Sequence, residues 1–323
     1  MELFPKYYFG IISSLLIVGM FLYLKAAKKW SITDNPNERS SHKQITLRGG
    51  GLIYLIGLGL YLIFSNFNIY LLVTSGIFLG IVGFIDDVKN LSFKIKILFQ
   101  LIIITVYLLG IIYVLEWYLI VLIFIFLISS INVYNFMDGI NGLTILYSLT
   151  SLVTFYVINS SFYQFTDANL LLVMIICNLI IGFFNIRKQA ICFLGDVGSI
   201  TMGFLFGSLV ILLMLKTNSL NPLLLFIVYG VDAGWTIIQR LINRENIFLP
   251  HRKHLYQLLV NELKFSHLLV SMIYFFIQAV VNIIWIYFYQ MNLSIIVLII
   301  GIAVFSLIYL LIKQRIINKL KLN

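Results

Sequence analysis

Charge is scarce in this chain. Asp, Glu, Lys and Arg make up only 11% of its 323 residues, and just 12 of them are acidic. With 61% hydrophobic residues and a mean hydropathy of +1.04, a soluble globular domain is excluded, because helices apolar all round belong in a membrane. Two cysteines, Cys177 inside an apolar run and Cys192 in a loop, imply neither a disulfide framework nor a metal cluster. Low-complexity tracts and internal repeats are missing, so one polytopic domain over residues 1–323 is the simplest organisation. Tyr7–Ala26 lacks a small-residue cleavage site and runs into Lys28 and Lys29, so it reads as a retained span and not a removed signal peptide.

What the chain does have is long apolar runs. A membrane helix needs about 20 such residues. Eleven runs qualify, with one span of error left by the short second, fifth and sixth: Tyr7–Ala26, Gly50–Ser65, Ile69–Ile85, Ile95–Leu115, Trp117–Ile131, Leu143–Ile158, Ala168–Asn185, Gly198–Leu215, Pro222–Ile242, Leu268–Tyr289 and Leu293–Ile312. They are too long for barrel strands, so the expected fold is an all-α bundle of 10–11 transmembrane helices. With the N-terminus outside, all 22 Lys and Arg except Lys6 and Lys216 fall on the inner side, as the positive-inside rule requires. The formal net charge of +10 then reflects membrane orientation and suits anionic lipid or phosphate substrates, with no need for nucleic acid. The basic segment from Lys313 to Asn323 reads as a membrane-surface anchor.

The polar residues cluster, and every cluster lands on that inner side. Asn132 to Gly142 holds Asn132, Asn135, Asp138 and Asn141 at intervals of three, which on a helix form one drifting face. Hard oxygens and carboxamides of this kind suit Mg²⁺ or a nucleobase edge, while Asn, Asp and Gly are also ordinary turn residues. The third span ends in adjacent acids, Asp86 and Asp87, followed by Lys94, Lys96 and Gln100; paired carboxylates call for a cation. Arg48 precedes Gly49-Gly50-Gly51, where a backbone can approach a phosphate or simply pack between helices; His42 upstream reads as a solvated loop residue. Gly195-Asp196 opens the eighth helix, so Asp196 is either its cap or a metal ligand beside a phosphate at the helix end. Asp232, inside the ninth span, is either functional or a partner for a polar group of the bundle. The largest inner loop carries His251, Arg252, Lys253 and His254, suited to phosphates at neutral pH; His251-x-x-His254 lacks a third soft ligand for a transition metal.

Acids for Mg²⁺ and bases for phosphates, gathered at one membrane surface, point to phosphoryl transfer between a soluble nucleotide and a lipid, chemistry that needs positioning and charge neutralisation only. Four stretches in order, Gly83-Phe-Ile-Asp-Asp87 with Lys96 and Gln100, Asn132-x-x-Asn135-x-x-Asp138-Gly-Ile-Asn-Gly142, Phe193-Leu-Gly-Asp-Val-Gly-Ser199 and Pro250-His-Arg-Lys-His254, resemble the polyprenyl-phosphate N-acetylhexosamine-1-phosphate transferases, glycosyltransferase family 4. Arg39-Ser-Ser-His42 and Leu255-Tyr-Gln257 make the resemblance closer to O-antigen or capsule initiators.

That resemblance implies transfer of a sugar-1-phosphate from a UDP-N-acetyl amino sugar to undecaprenyl phosphate, releasing UMP, at the cytoplasmic face of a bacterial inner membrane. It implies Mg²⁺, with Mn²⁺ as a substitute, held by Asn135 and Asp196 with Asp87 close by. Asp86, Asp87, Asp138 and Lys96 would carry the chemistry; Arg48, Asn132, Asn141, Gly195, His251, Arg252 and His254 would bind substrate. Membrane lipid is the other expected partner, and a homodimer is left open. The segment Asn185-Ile-Arg-Lys-Gln-Ala190 departs from the family's Pro-Ala form, and His-Arg-Lys-His from its His-x-His-His, leaving the sugar open among GlcNAc, GalNAc and 6-deoxy amino sugars. The alternative is a secondary transporter of a nucleotide-sugar or other anion, which would set its polar groups near mid-membrane. A CDP-alcohol phosphotransferase lacks support, since Asp138-Gly139 continues Ile-Asn-Gly-Leu.

Overall fold

The computed structural model describes residues 4–36, 41–42, 44–65, 69–110, 116–247, 249, 251–289 and 295–321; Arg39, Ser40 and Pro250 of the motifs above lie outside them, as do the span ends Leu115 and Leu293. Its helices are α1 (Lys6–Lys29), α2 (Leu52–Phe64), α3 (Tyr70–Lys89), α4 (Phe93–Leu109), α5 (Trp117–Met137), α6 (Leu143–Ser161), α7 (Ala168–Asn185), α8 (Gly195–Thr217), α9 (Ile227–Ile242), the single turn α10 (Leu255–Gln257), α11 (His267–Tyr289) and α12 (Ile295–Lys321). Two short strands, β1 (Thr33–Asp34) and β2 (Thr46–Leu47), pair antiparallel between α1 and α2. Among the described residues nine helices are long and apolar enough to cross a bilayer; α9 reaches that length through a 3-10 turn over Asn221–Phe226. The 13-residue α2 and 17-residue α4 are the shorter pair. Each expected apolar run is thus a helix, in the expected order, and the chain is an all-α polytopic membrane protein.

α8 is the axis of the bundle. Of its most apolar stretch 89% is buried, against 17% for α12, and it packs along both α3 and α5. Lipid offers no hydrophobic drive for helices to associate, so small residues and interhelical hydrogen bonds hold them together. Ser130 of α5 donates to the carbonyl of Gly203 on α8 (2.7 Å). Asn178 of α7 accepts from Tyr54 of α2 (2.6 Å) and donates to the Ile145 carbonyl of α6 (2.7 Å).

Backbone pairing gathers the polar clusters. Leu47 of β2 bridges in parallel to Cys192, and its carbonyl accepts from the Phe193 N–H (2.7 Å). The Gly50 and Gly51 amides then donate to the Phe193 and Leu194 carbonyls, both at 2.8 Å. This zipper ends with the Gly51 backbone against that of Gly198, so close that a Cβ at residue 51 would overlap it. α2 and α8 therefore start side by side, where α3 and α5 end.

The C-terminal basic segment is helical, since α12 continues to Lys321, and Lys313 is buried, 4% exposed. One expectation changes. The interval of three from Asn132 to Asn141 does not stay on one helix, because α5 stops at Met137 and a turn through Gly142, at φ +84°, follows.

Candidate active site

The last turn of α3 meets the first turn of α8. The Asp87 carboxylate is fully buried and accepts from the backbone N–H of Asp196 (2.8 Å) and of Val197 (3.1 Å). It thereby caps a helix terminus whose N–H groups lack partners and whose dipole favours negative charge. Gly195 turns into α8 at φ +76°, and a Cβ there would overlap the Asp87 carboxylate, which a glycine avoids. Arg48 spans the two acids, Nε to Asp87 at 2.6 Å and Nη2 to Asp196 at 2.9 Å. Burial opposes the guanidinium charge, but Asp87 and Asp196 outweigh it and raise its pKa. From α4, Lys96 Nζ lies 2.8 Å from Asp86 and 3.4 Å from Asp196. The other Asp86 oxygen accepts from the Leu91 N–H (2.6 Å), which fixes the turn after α3. Three carboxylates thus face two cations.

Asp87→Ala should cost stability as well as any activity, since it uncaps α8 and leaves Arg48 paired with Asp196 alone. Losing a helix cap costs about 0.5–2 kcal/mol, and the loss of one Arg48 ion pair adds to it. Thermal unfolding in detergent should show a clearly lowered midpoint; an unchanged one would sink the capping role.

A cavity of about 240 Å³ opens beside this cluster, lined by Arg48, Gly195 and Asp196 and by Asn135, Asp138 and Asn141. Asn135 donates its Nδ2 to Ser199 (3.1 Å) and its carboxamide adjoins Asp196. Protein closes around Asp138 on most sides, and this burial pushes its carboxyl up to about 7, with the nearby Thr144 hydroxyl opposing the rise. Asn141 donates to the Arg187 carbonyl (2.9 Å), and the Gly142 N–H to Asn185 (2.7 Å), so the turn after α5 is tied to the end of α7.

Among the described residues, no three Asp, Glu, His or Cys side chains form a metal-binding group on their own. Mg²⁺ does not require one, being commonly held by one or two carboxylates with substrate phosphates and water. Asp196 beside the Asn135 carboxamide, open to the cavity, is a hard-oxygen pair of that kind. Asp87 has both oxygens engaged by α8 amides and Arg48 and, unlike Asp196, does not line the cavity, a placement that suits capping better than the ligand role expected of it.

A family profile described as glycosyl transferase family 4 matches residues 69–214. The chain is 30% identical over 259 residues to a probable undecaprenyl-phosphate N-acetylglucosaminyl 1-phosphate transferase of Bacillus subtilis (strain 168), covering 73% of this chain and 72% of the relative. The chain belongs to glycosyl transferase family 4, the polyprenyl-phosphate hexosamine-1-phosphate transferases. It is 27% identical over 286 residues to the undecaprenyl-phosphate alpha-N-acetylglucosaminyl 1-phosphate transferase of Salmonella typhi, covering 77% and 75% of the two chains. A phospho-N-acetylmuramoyl-pentapeptide-transferase of Lactococcus lactis is 26% identical over 272 residues, covering 71% and 80%.

In this family 4 transferase, Arg48, Asn135, Asp138, Asn141, Gly195 and Asp196 line the cavity. Asp86, Asp87 and Lys96 make the charged layer joined to Asp196. Asn132 stands apart: its Nδ2 donates to the Ile128 carbonyl (2.8 Å) and to Gln100 (3.3 Å). His251, Arg252 and His254 do not line the cavity. Arg252 is half-buried, and His254, 1% exposed, sits 3.4 Å from Asp232. His251 lies 4.8 Å, ring to ring, from His254; burial, with nearby His254, Arg240, Lys253 and Lys313, lowers its pKa to about 4. This setting favours the neutral ring of His251 over the cationic grip on a phosphate expected of it. Because its charge is lost well below pH 6, His251→Gln should leave the shape of the pH–rate profile between pH 6 and 8 unchanged. A limb in that range that disappears in the variant would show that His251 is charged there.

Two cavity histidines escaped the sequence. His42, read as solvated, lines the cavity and meets the Phe193 ring edge-on at 4.8 Å. His267 accepts from the Asn141 N–H at Nδ1 (3.3 Å), which puts its proton on Nε2, 3.0 Å from the Ser41 carbonyl. It pins the first loop to the turn after α5. The six-residue separation of His42 from Arg48 was a usable signal once β1 and β2 pair; nothing local marked His267.

Proposed function

We propose that this chain transfers a sugar-1-phosphate from a UDP-N-acetyl amino sugar to undecaprenyl phosphate, giving polyprenyl-diphosphate-sugar and UMP. The observation that carries this reading is Asp196 at the head of α8, opening onto a polar cavity with Arg48, Lys96 and Asn135 around it. The active end faces the cytoplasm of a bacterial inner membrane, and the product starts a cell-envelope polysaccharide. Support for the chemistry comes from the relatives named above; support for the orientation comes from the basic residues on that side.

An oxygen of the lipid phosphate attacks the β-phosphorus of the nucleotide-sugar. The bond from that phosphorus to the bridging oxygen breaks, and UMP leaves with the electron pair. Asp196 and Asn135 would hold Mg²⁺, which when bound supplies charge neutralisation at the diphosphate. Lys96, shared between Asp86 and Asp196, stands where it can pass from carboxylate to diphosphate. Asp86 then orients the incoming lipid phosphate, which is already ionised at neutral pH and needs no strong base. Asp138, raised towards neutrality and facing the cavity, supplies a hydrogen bond to the nucleotide-sugar. Transport is disfavoured because these groups sit at helix ends and not on broken helices at mid-membrane.

The test uses purified protein in detergent, a panel of UDP-amino sugars and polyprenyl phosphate. UMP should appear only when both substrates and Mg²⁺ are present, and the panel names the sugar. Uptake of intact UDP-sugar into proteoliposomes, without UMP, would overturn the reading.

A further inference from the structure

Asp232 is buried in α9 at 1% exposure and takes no part in the chemistry above. Its carboxylate collects hydroxyls from three helices: Tyr274 of α11 (2.6 Å), Tyr309 of α12 (2.9 Å) and Thr236 of α9 (3.4 Å). It also accepts from the Leu255 N–H (3.0 Å) and faces His254 Nδ1 at 3.4 Å. Behind it, Lys313 of α12 donates to Thr236 (2.9 Å) and to Tyr309 (3.0 Å). Burying such groups is costly unless each is satisfied, and the cost asks what the arrangement holds in place.

What it holds is the stretch His254 to Gln257. Asp232 anchors its start through the Leu255 amide and the His254 ring. Tyr256 fixes the middle, donating to the Phe136 carbonyl (2.9 Å) at the end of α5, two residues before Asp138. Gln257 closes the turn by accepting from the His254 N–H (3.2 Å), and it lines the cavity. Four consecutive residues thus run from the Asp232 seam, past the α5 terminus, to the substrate space.

We propose that Asp232, backed by Tyr309 and Lys313 of α12, is a positioning residue for nucleotide-sugar binding: it sets the 254–257 turn so that Gln257 faces the cavity. The role rests on the transfer reading above. It also gives α12, otherwise largely lipid-facing, a route to the active site.

The experiment compares purified full-length wild type, Asp232→Ala, Gln257→Ala and the double variant, by UMP release and by amide hydrogen exchange. Each single variant should raise KM for the UDP-sugar about tenfold, the size of one lost hydrogen bond, with KM for polyprenyl phosphate unchanged. The double variant should be no worse than either single one, because both remove the same contact. Exchange at residues 254–258 should quicken in Asp232→Ala while α3 and α8 keep their protection. Should Asp232→Ala fail to fold, Tyr309→Phe, which deletes one donor to the same carboxylate, should give the same split on a smaller scale. Additive effects, a fall in kcat with KM unmoved, or exchange that quickens everywhere or nowhere would overturn the proposal. If the wild type releases no UMP with any donor, the transfer reading falls, and the exchange arm still decides whether Asp232 holds the turn.

Discussion

Asp196→Asn should lower lipid-dependent UMP release by about 10²–10³-fold or more, the range seen when one preorganised electrostatic contact is removed from an active site. The substitution is nearly isosteric, and the cap of α8 survives it, because Asp87 binds the backbone N–H of residues 196 and 197 and not the side chain. Stability should therefore change far less than activity. What goes is the charge that Arg48 and Lys96 share at 2.9 and 3.4 Å, in the wall that opens on the cavity. Under the proposed role, residual turnover should also need a higher Mg²⁺ concentration for half-saturation. The measurements are UMP release against Mg²⁺ and a melting curve of the same preparation. Turnover within a few-fold of wild type would remove Asp196 from the metal site and the metal site from the proposal.

Much of this arrangement is legible in the sequence. Eleven apolar runs announce eleven helices because lipid leaves the backbone no other way to satisfy itself. Asp86, Asp87 and Asp196 were visible because charge at the end of an apolar run is conspicuous. Their division of labour was not visible. Whether an acid caps a helix or opens to a cavity depends on which backbone lies opposite, and the backbone opposite Asp87 comes 109 residues later. The placement of the histidine segment was hidden for a related reason. Two rings and two cations in four residues read as a phosphate clamp, yet His254 turns inward to an acid 22 positions earlier and takes His251 with it. Residues such as His42 and His267 reach the cavity through loop pairing and a helix start, neither of which leaves a periodic trace.

The largest effect on folding is expected from the smallest change, Gly51→Ala. At residue 51 the added methyl would overlap the Cα and amide nitrogen of Gly198, and neither can swing aside as a side chain would. Relief requires α2 to move off α8, which pulls the Gly50 and Gly51 amides from the Phe193 and Leu194 carbonyls. Arg48 rides on the same segment, so its bridge between Asp87 and Asp196 goes with it. Overpacking alone costs about 1–3 kcal/mol, occasionally more, and the lost backbone pairs and ion pairs add to that. The matched control lies within α2, which Gly51 caps: a Cβ at Gly59 meets nothing within 4 Å. There the exchange should be neutral or stabilising by up to about 1 kcal/mol, the helix preference of Ala over Gly. Gly51→Ala should leave little folded protein in a detergent melting assay, while Gly59→Ala melts at or above the wild-type midpoint. Equal behaviour of the two variants would mean that the α2–α8 junction is not the close backbone contact that places Arg48.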